Sequence, residues 1–168
     1  EQFIEDRLVV LDSLAKELQT TPAEVQGKVQ SLSAELETER RRSLELERQL
    51  SRQVAESLLA QAERVDGVAV VAAQVPALSR EVLREMGDWL RDKLGSGVVV
   101  LGTVYDDKPS FLAMVTPDLV GKGLHAGKLV KQVAVVTGGG GGGRPELAQA
   151  GGKDKSKIEE ALGLVKAL

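Results

Sequence analysis

The chain has 168 residues, 42% of them apolar and 28% charged, with a formal net charge of −3. It has no cysteine and one histidine, His125, which excludes disulfides, thiolate metal sites and multi-histidine metal sites. No apolar run approaches the ~18 residues that span a bilayer and no signal peptide is visible, so a cytoplasmic setting without a membrane partner is expected. The chain begins at Glu1 rather than Met, and a piece of a longer protein is expected on that ground. Phe3, Trp89, Tyr105 and Phe111 are the whole aromatic set, so Val, Leu and Ala must build the core.

Phe3, Ile4, Leu8, Leu11, Leu14 or Ala15, and Leu18 recur at three- and four-residue spacing, which predicts an amphipathic helix. Thr21, Pro22 and Glu24 then supply an N-cap, a first-turn proline and a capping box for a second helix. That helix is expected to run to about Arg64 on a seam of Val25, Val29, Leu32, Leu36, Leu46, Leu50, Val54, Leu58 and Ala62. The seam lapses at Glu39-Arg40-Arg41-Arg42 and then drifts from the heptad period. A helical hairpin with a projecting arm therefore fits better than an unbroken coiled coil. A helix of roughly forty residues reaches about 60 Å. Arg40–Arg42 read as a solvated face or as a contact to an RNA backbone or a partner.

At Asp66-Gly67 the period changes. Val68–Val75 reads as a buried strand, Ser79–Leu94 as a helix ended by Gly95, and Val98–Tyr105 as a strand. Asp106–Pro109 reads as a turn leading to a hairpin strand, Phe111–Thr116. Ala126–Val136 reads as a helix, Glu146–Ala150 as a short strand and Ser156–Leu168 as a terminal helix. These elements predict an α/β (α+β) globular domain with a mixed sheet. The expected division is a helical hairpin subdomain over residues 1–65 and a globular subdomain over residues 66–168.

Gly138, Gly139, Gly140, Gly141, Gly142 and Gly143 run into Arg144-Pro145. Ordering six glycines is costly, and three explanations compete. A flexible linker needs autonomous units on both sides, but too little chain follows Gly143 to fold alone. A nucleotide loop fails on spacing: Gly127-Lys128 is followed by Leu129 and Gly152-Lys153 by Asp154, where a phosphate loop needs Ser or Thr. Gly121–Gly127 has one residue too many for a dinucleotide fingerprint. A backbone-lined anion site fits the local charge. Lys122, Lys128, Lys131, Arg144, Lys153, Lys155 and Lys157 stand there against only Glu146 and Asp154, in a chain that is acidic overall. A guanidinium grips phosphate bidentately, which singles out Arg144. With so few aromatics to stack bases on, folded RNA recognised by shape and backbone is the better match. His125 suits a helix start or packing better than a base contact.

Asp118–Gly127, Gly138–Gly143, Arg144-Pro145 and Ala148-Gln149-Ala150-Gly151-Gly152 resemble, in order and spacing, the C-terminal domain of alanyl-tRNA synthetases. The same module in altered form accompanies the DHH phosphoesterases. The resemblance covers roughly residues 66–168, and residues 1–65 resemble the helical part of the same region. It implies binding to the outer elbow of tRNA, alanine tRNA and the rest of the synthetase chain as partners, a link between aminoacylation and editing, and dimerisation in some members. It places no catalytic residue here, and it implies ATP, Mg and Zn only for the parent ligase. Where the phosphoesterases carry a histidine after the glycines this chain has Arg144, and it has no Asp-His-His element. The implied RNA-facing set is Lys122, His125, Lys128, Gly138 to Gly143, Arg144, Gln149, Lys153 and Lys155. A homo-oligomerisation module, or a general binder of single-stranded or structured nucleic acid, are the other readings, and a DHH-type phosphodiesterase has the least support.

Overall fold

A computed structural model describes residues 2–167. Helix α1 spans Gln2–Glu17, a short 3-10 turn spans Pro22–Glu24, and α2 spans Val25–Ala60. The chain divides into two compact units, Glu1–Glu45 and Leu46–Leu168, so the division falls inside α2 and ahead of the change of period at Asp66. In the first unit only Ala15 is buried among the described residues. The Thr21 hydroxyl does not cap the backbone as the capping box predicts. It donates instead to the Glu24 carboxylate at 2.8 Å, which holds that carboxyl below its ordinary range.

The second unit begins with the last turns of α2. Its outward helical seam ends sooner than the sequence suggests. Helix α2 stops at Ala60, short of Ala62 and Arg64, and Glu63–Val65 forms strand β1. A two-residue turn at Asp66-Gly67, both with positive φ (50° and 83°), pairs β1 with β2, Val68–Gln74. Asp-Gly is the residue pair such a turn demands. Helix α3, Arg80–Leu94, is capped by the Ser79 side chain and closed by Gly95 at φ 70°. Strands β3 (Gly97–Tyr105) and β4 (Lys108–Val115) follow. Their hairpin turn is Asp106-Asp107 alone, both left-handed, so Lys108 and Pro109 already belong to the strand.

Then come α4 (Pro117–Gly121), which the sequence reading lacks, α5 (Ala126–Val136), β5 (Gly140–Gly143) and β6 (Leu147–Gly151). The expected terminal helix is broken into a 3-10 turn at Lys155–Lys157, α6 at Ile158–Gly163 and a further 3-10 turn at Leu164–Ala167. Leu168, the last residue of that expected helix, lies outside the described residues.

The six strands form one sheet in the order β1-β2-β3-β4-β6-β5. Only β2 and β3 run parallel, joined through α3, and every other pair is antiparallel. Alternation of side chains sorts the residues onto two faces. Helices α5 and α6 cover one face, burying Val98, Val100, Phe111, Ala113, Ala148 and Ala150. Helix α3 lies over β3 and β4 on the other face, where a Cβ on Gly87 would come 2.9 Å from Met114. The end of α2 is tied to α3: Arg48 reaches Glu81 and Glu85 at 3.1 and 2.9 Å, and Glu47 accepts from the Ser79 N–H at 2.9 Å. These part-exposed ion pairs orient more than they stabilise.

The glycine run is a strand and not a loop, and it is the edge of the sheet. Its glycines divide by parity. An added Cβ would stand 1.9 Å from the Gly151 carbonyl oxygen at Gly139, 2.4 Å from the Ala150 Cα at Gly141, and 2.6 Å from the Ala148 Cα at Gly143. Gly138, Gly140 and Gly142 would meet nothing within 4 Å, and of these only Gly138 has a positive φ, 69°. The odd glycines are therefore required by a backbone approach that no other residue permits. Gly141→Ala should lower stability by about 1–3 kcal/mol or more, the ordinary cost of overpacking. Gly142→Ala should be neutral or stabilising, because it only removes freedom from the unfolded chain. Thermal unfolding of the two variants checks this, and equal melting temperatures would overturn it.

Candidate nucleic-acid interface

Strands β5 and β6 are joined through Arg144-Pro145-Glu146, a turn closed by the Arg144 N–H donating to the Leu147 carbonyl at 2.9 Å. Helix α5 starts beside this tip. The Ala126 N–H donates to the Pro145 carbonyl at 2.8 Å, and a Cβ on Gly127 would be 2.9 Å from the Gly143 oxygen. His125 is the N-cap of α5, its Nδ1 accepting from the Gly127 N–H at 3.1 Å. This is the helix-start role that the sequence favours for it. Lys122, on the loop entering α5, and Lys128, in its first turn, are both exposed, as is Arg144.

The far end of α5 meets the other end of the hairpin. The Thr137 carbonyl accepts from the N–H groups of Lys153 and Asp154 at 2.8 and 3.0 Å. Here Gly138 and Gly139 enter β5 while Lys153 and Lys155 leave β6. The Lys155 ammonium is paired with the Asp107 carboxylate, so its charge is largely compensated. Asp154 accepts from the Ser156 N–H and hydroxyl, which holds its carboxyl below the usual range. At ~1.5 Å per residue, α5 separates the two ends by about 16 Å.

The thirteen residues singled out from the sequence therefore do not form one patch. Lys122, His125, Lys128, Gly143 and Arg144 gather at the hairpin tip. Gly138, Gly139, Lys153 and Lys155 gather at its base. Gly140, Gly141 and Gly142 connect them as an exposed strand. Gln149 pairs in register with Gly142 and Leu112, which sets it on the face that carries α3, away from α5. It is exposed there.

That open face holds a recess of about 260 Å³ which the sequence does not announce. Its lining includes Arg80 from the start of α3, Tyr105 from β3, Ser110 from β4, Gln149 and Gly151 from β6, and Gly140 from β5. The Tyr105 hydroxyl donates to the Leu78 carbonyl, and burial raises the phenol's pKa. Arg80 has no ion-pair partner among the described residues, nor do Ser110 and Gln149 make a side-chain hydrogen bond among them. Only Gln149 of these side chains carries a sequence signal, because the others are brought together by strand order and not by spacing. No group of three or more His, Cys, Asp or Glu that could hold a metal ion occurs among the described residues. No helix among them is long and apolar enough to cross a membrane.

Residues 67–168 match the family model described as the DHHA1 domain. Over 168 residues the chain is 49% identical to an alanine–tRNA ligase of Dehalococcoides mccartyi strain BAV1, covering 100% of this chain and 19% of that one. It is 50% identical over 159 residues to the alanine–tRNA ligase of Bacillus subtilis strain 168, covering 95% of this chain and 18% of that one. The chain thus spans less than a fifth of the length of these curated relatives. Among solved structures it is similar to the C-Ala domain from Aquifex aeolicus alanyl-tRNA synthetase, with a TM-score of 0.58 and 33% identity. That match covers 63% of this chain and 95% of that one. The chain belongs to the DHHA1 domain family, in the form found as the C-Ala domain of alanyl-tRNA synthetases.

Proposed function

We propose that this DHHA1-family chain is the RNA-holding C-terminal part of an alanine–tRNA ligase, and that it meets the outer elbow of tRNA, alanine tRNA above all, along the edge strand β5. One observation carries the reading: an exposed, side-chain-free strand at the sheet edge, with cations at both of its ends. Bare backbone presents N–H donors to phosphate oxygens at a distance side chains would prevent. Arg144 at the tip adds a planar fork of donors suited to phosphate. The roughly 16 Å between tip and base suits a backbone followed over several nucleotides better than a single small ligand.

In this reading the chain supplies binding, and the ligase and editing reactions belong to other parts of the enzyme in the cytoplasm. By the resemblance to alanine–tRNA ligases, ATP, magnesium and zinc belong to those other parts as well.

Titration of the chain against alanine tRNA at several salt concentrations tests the proposal. Contact with ~3–5 phosphates gives a log–log slope of roughly −2 to −4. Affinity no greater than for an unstructured RNA of equal length, even at low salt, would overturn it. Arg144→Glu should weaken binding about ten-fold or more while leaving the melting temperature unchanged, because the side chain is exposed and a charge-assisted hydrogen bond to phosphate is among the stronger ones. A collapse of the fold instead would make Arg144 structural.

A second reading, self-association, is favoured by the unit of residues 1–45. There Phe3, Ile4, Leu8, Val9, Val10, Leu14, Val29, Leu32 and Leu36 are all exposed, an unusual amount of unburied apolar surface for so short a stretch. Sedimentation over a range of concentrations separates the readings: a monomer throughout excludes self-association of this chain, and an oligomer that still binds tRNA lets both stand.

A further inference from the structure

The recess on the α3 face lies on the opposite side of the sheet from α5, beside the hairpin base at Gly140 and Gly151, and its chemistry differs from that of the cationic tip. At about 260 Å³ it is smaller than the ~300–1,000 Å³ typical of drug-sized ligands, a size that admits no more than one nucleotide unit. Its floor is backbone at Gly140 and Gly151, paired with each other across β5 and β6. A Cβ on Gly140 would meet nothing within 4 Å, and Gly140 has no positive φ. Neither packing nor conformation accounts for a glycine there.

Three hydrogen-bonding side chains belong to the lining of the recess, the Arg80 guanidinium, the Ser110 hydroxyl and the Gln149 amide, and among the described residues none has an ion-pair or side-chain hydrogen-bond partner. Leu83 and Leu112 also belong to the lining but are almost wholly buried. Tyr105, the only tyrosine in the chain, brings an aromatic ring to the lining and is held by its hydroxyl on the Leu78 carbonyl. Glu47, the acid whose charge reaches Tyr105, is committed to the Ser79 N–H. One cation, one amide with both donor and acceptor, and one aromatic ring match the phosphate, the base edge and the base face of a nucleotide. A guanidinium suits the phosphate. An amide side chain suits the edge of a base. An aromatic ring such as that of Tyr105 suits its flat face.

We propose that this recess holds one nucleotide unit, its phosphate toward Arg80 and its base edge on Gln149, and that it reads one unpaired nucleotide of the RNA bound along β5. The role as part of an RNA surface rests on the tRNA-binding reading, whereas the recess chemistry does not.

Amide-resolved NMR of the whole chain, titrated in turn with AMP, GMP, CMP and UMP and with alanine tRNA, separates the two. Each mononucleotide should shift the amides of Gly140, Gln149, Gly151 and Ser110, with unequal affinities among the four bases. Arg80→Ala and Gln149→Ala, both at exposed positions, should each reduce tRNA affinity roughly ten-fold, as expected for hydrogen bonds to a charged group or a base edge. Gly140→Val should fill the recess and abolish mononucleotide shifts. Should it fail to fold, the Arg80 and Gln149 variants carry the test alone. Mononucleotide shifts confined to Lys122–Lys128 and Arg144 would overturn the inference, as would tRNA affinity unchanged in both alanine variants. In either case tRNA binding that still depends on Arg144 leaves the elbow reading standing. Mononucleotide binding in the recess with no tRNA binding would keep the recess as a nucleotide site and sink the RNA reading.

Discussion

Everything near the edge of this sheet depends on how closely β5 approaches β6. At Gly139, Gly141 and Gly143 the space for a Cβ is filled by the neighbouring strand's own backbone. That approach lets α5 settle on the same face, with Gly127 against the Gly143 oxygen and the Ala126 N–H on the Pro145 carbonyl. Helix α5 in turn buries Leu129, Val130 and Val133 over Ala148 and Ala150. Burial of each such side chain contributes about 1.5–3 kcal/mol, which offsets the entropy lost in ordering the glycines. A side chain at any of the odd positions would wedge the hairpin open and lift the helix from it.

The same alternation that spends the odd glycines on packing leaves Gly140 and Gly142 on the other face, with open space above them. Strand pairing thus sends one stretch of sequence to two tasks. The fold claims one parity, and the other is left bare beside Gln149, Ser110 and Arg80. The cations follow a related division. Those at the tip and base sit where α5 begins and ends, fixed by the hydrogen bonds of Ala126 and Thr137 to the hairpin. Arg80 sits at the start of a different helix.

Much of the architecture was readable from the order of residues. The helix from Ser79 to Gly95 announces itself through its cap, its apolar spacing and its closing glycine, and α5 through its run of Leu and Val. What escaped has identifiable causes. Strand β1 carries a single well-placed apolar residue, Val65, so its Asp-Gly turn had no alternation on one side to confirm it. Helix α4 is one turn long, too short for a period. The glycine run offers no side-chain pattern at all, so its strand character is imposed by β6 and is invisible locally. The recess could not be read, because Arg80, Tyr105, Ser110 and Gln149 come from four elements that only the sheet order brings together. The basic segments around the glycines were legible as charge, but their separation into two ends depends on the length of α5.

That the glycines form a strand also changes what they would offer the RNA of the proposed function. A flexible six-glycine loop would have to be ordered by its ligand, and the entropy of that ordering would be subtracted from the affinity. In this fold the ordering is complete before any ligand arrives, because the hydrogen bonds to β6 and the packing of α5 already hold the strand. The ligand then meets a rigid row of backbone groups and loses only its own freedom. In a chain of net charge −3, long-range attraction to RNA is weak and salt screens it within about 10 Å. In the proposed RNA complex, contact at short range would therefore supply most of the binding, and a preorganised bare strand is well suited to supply it.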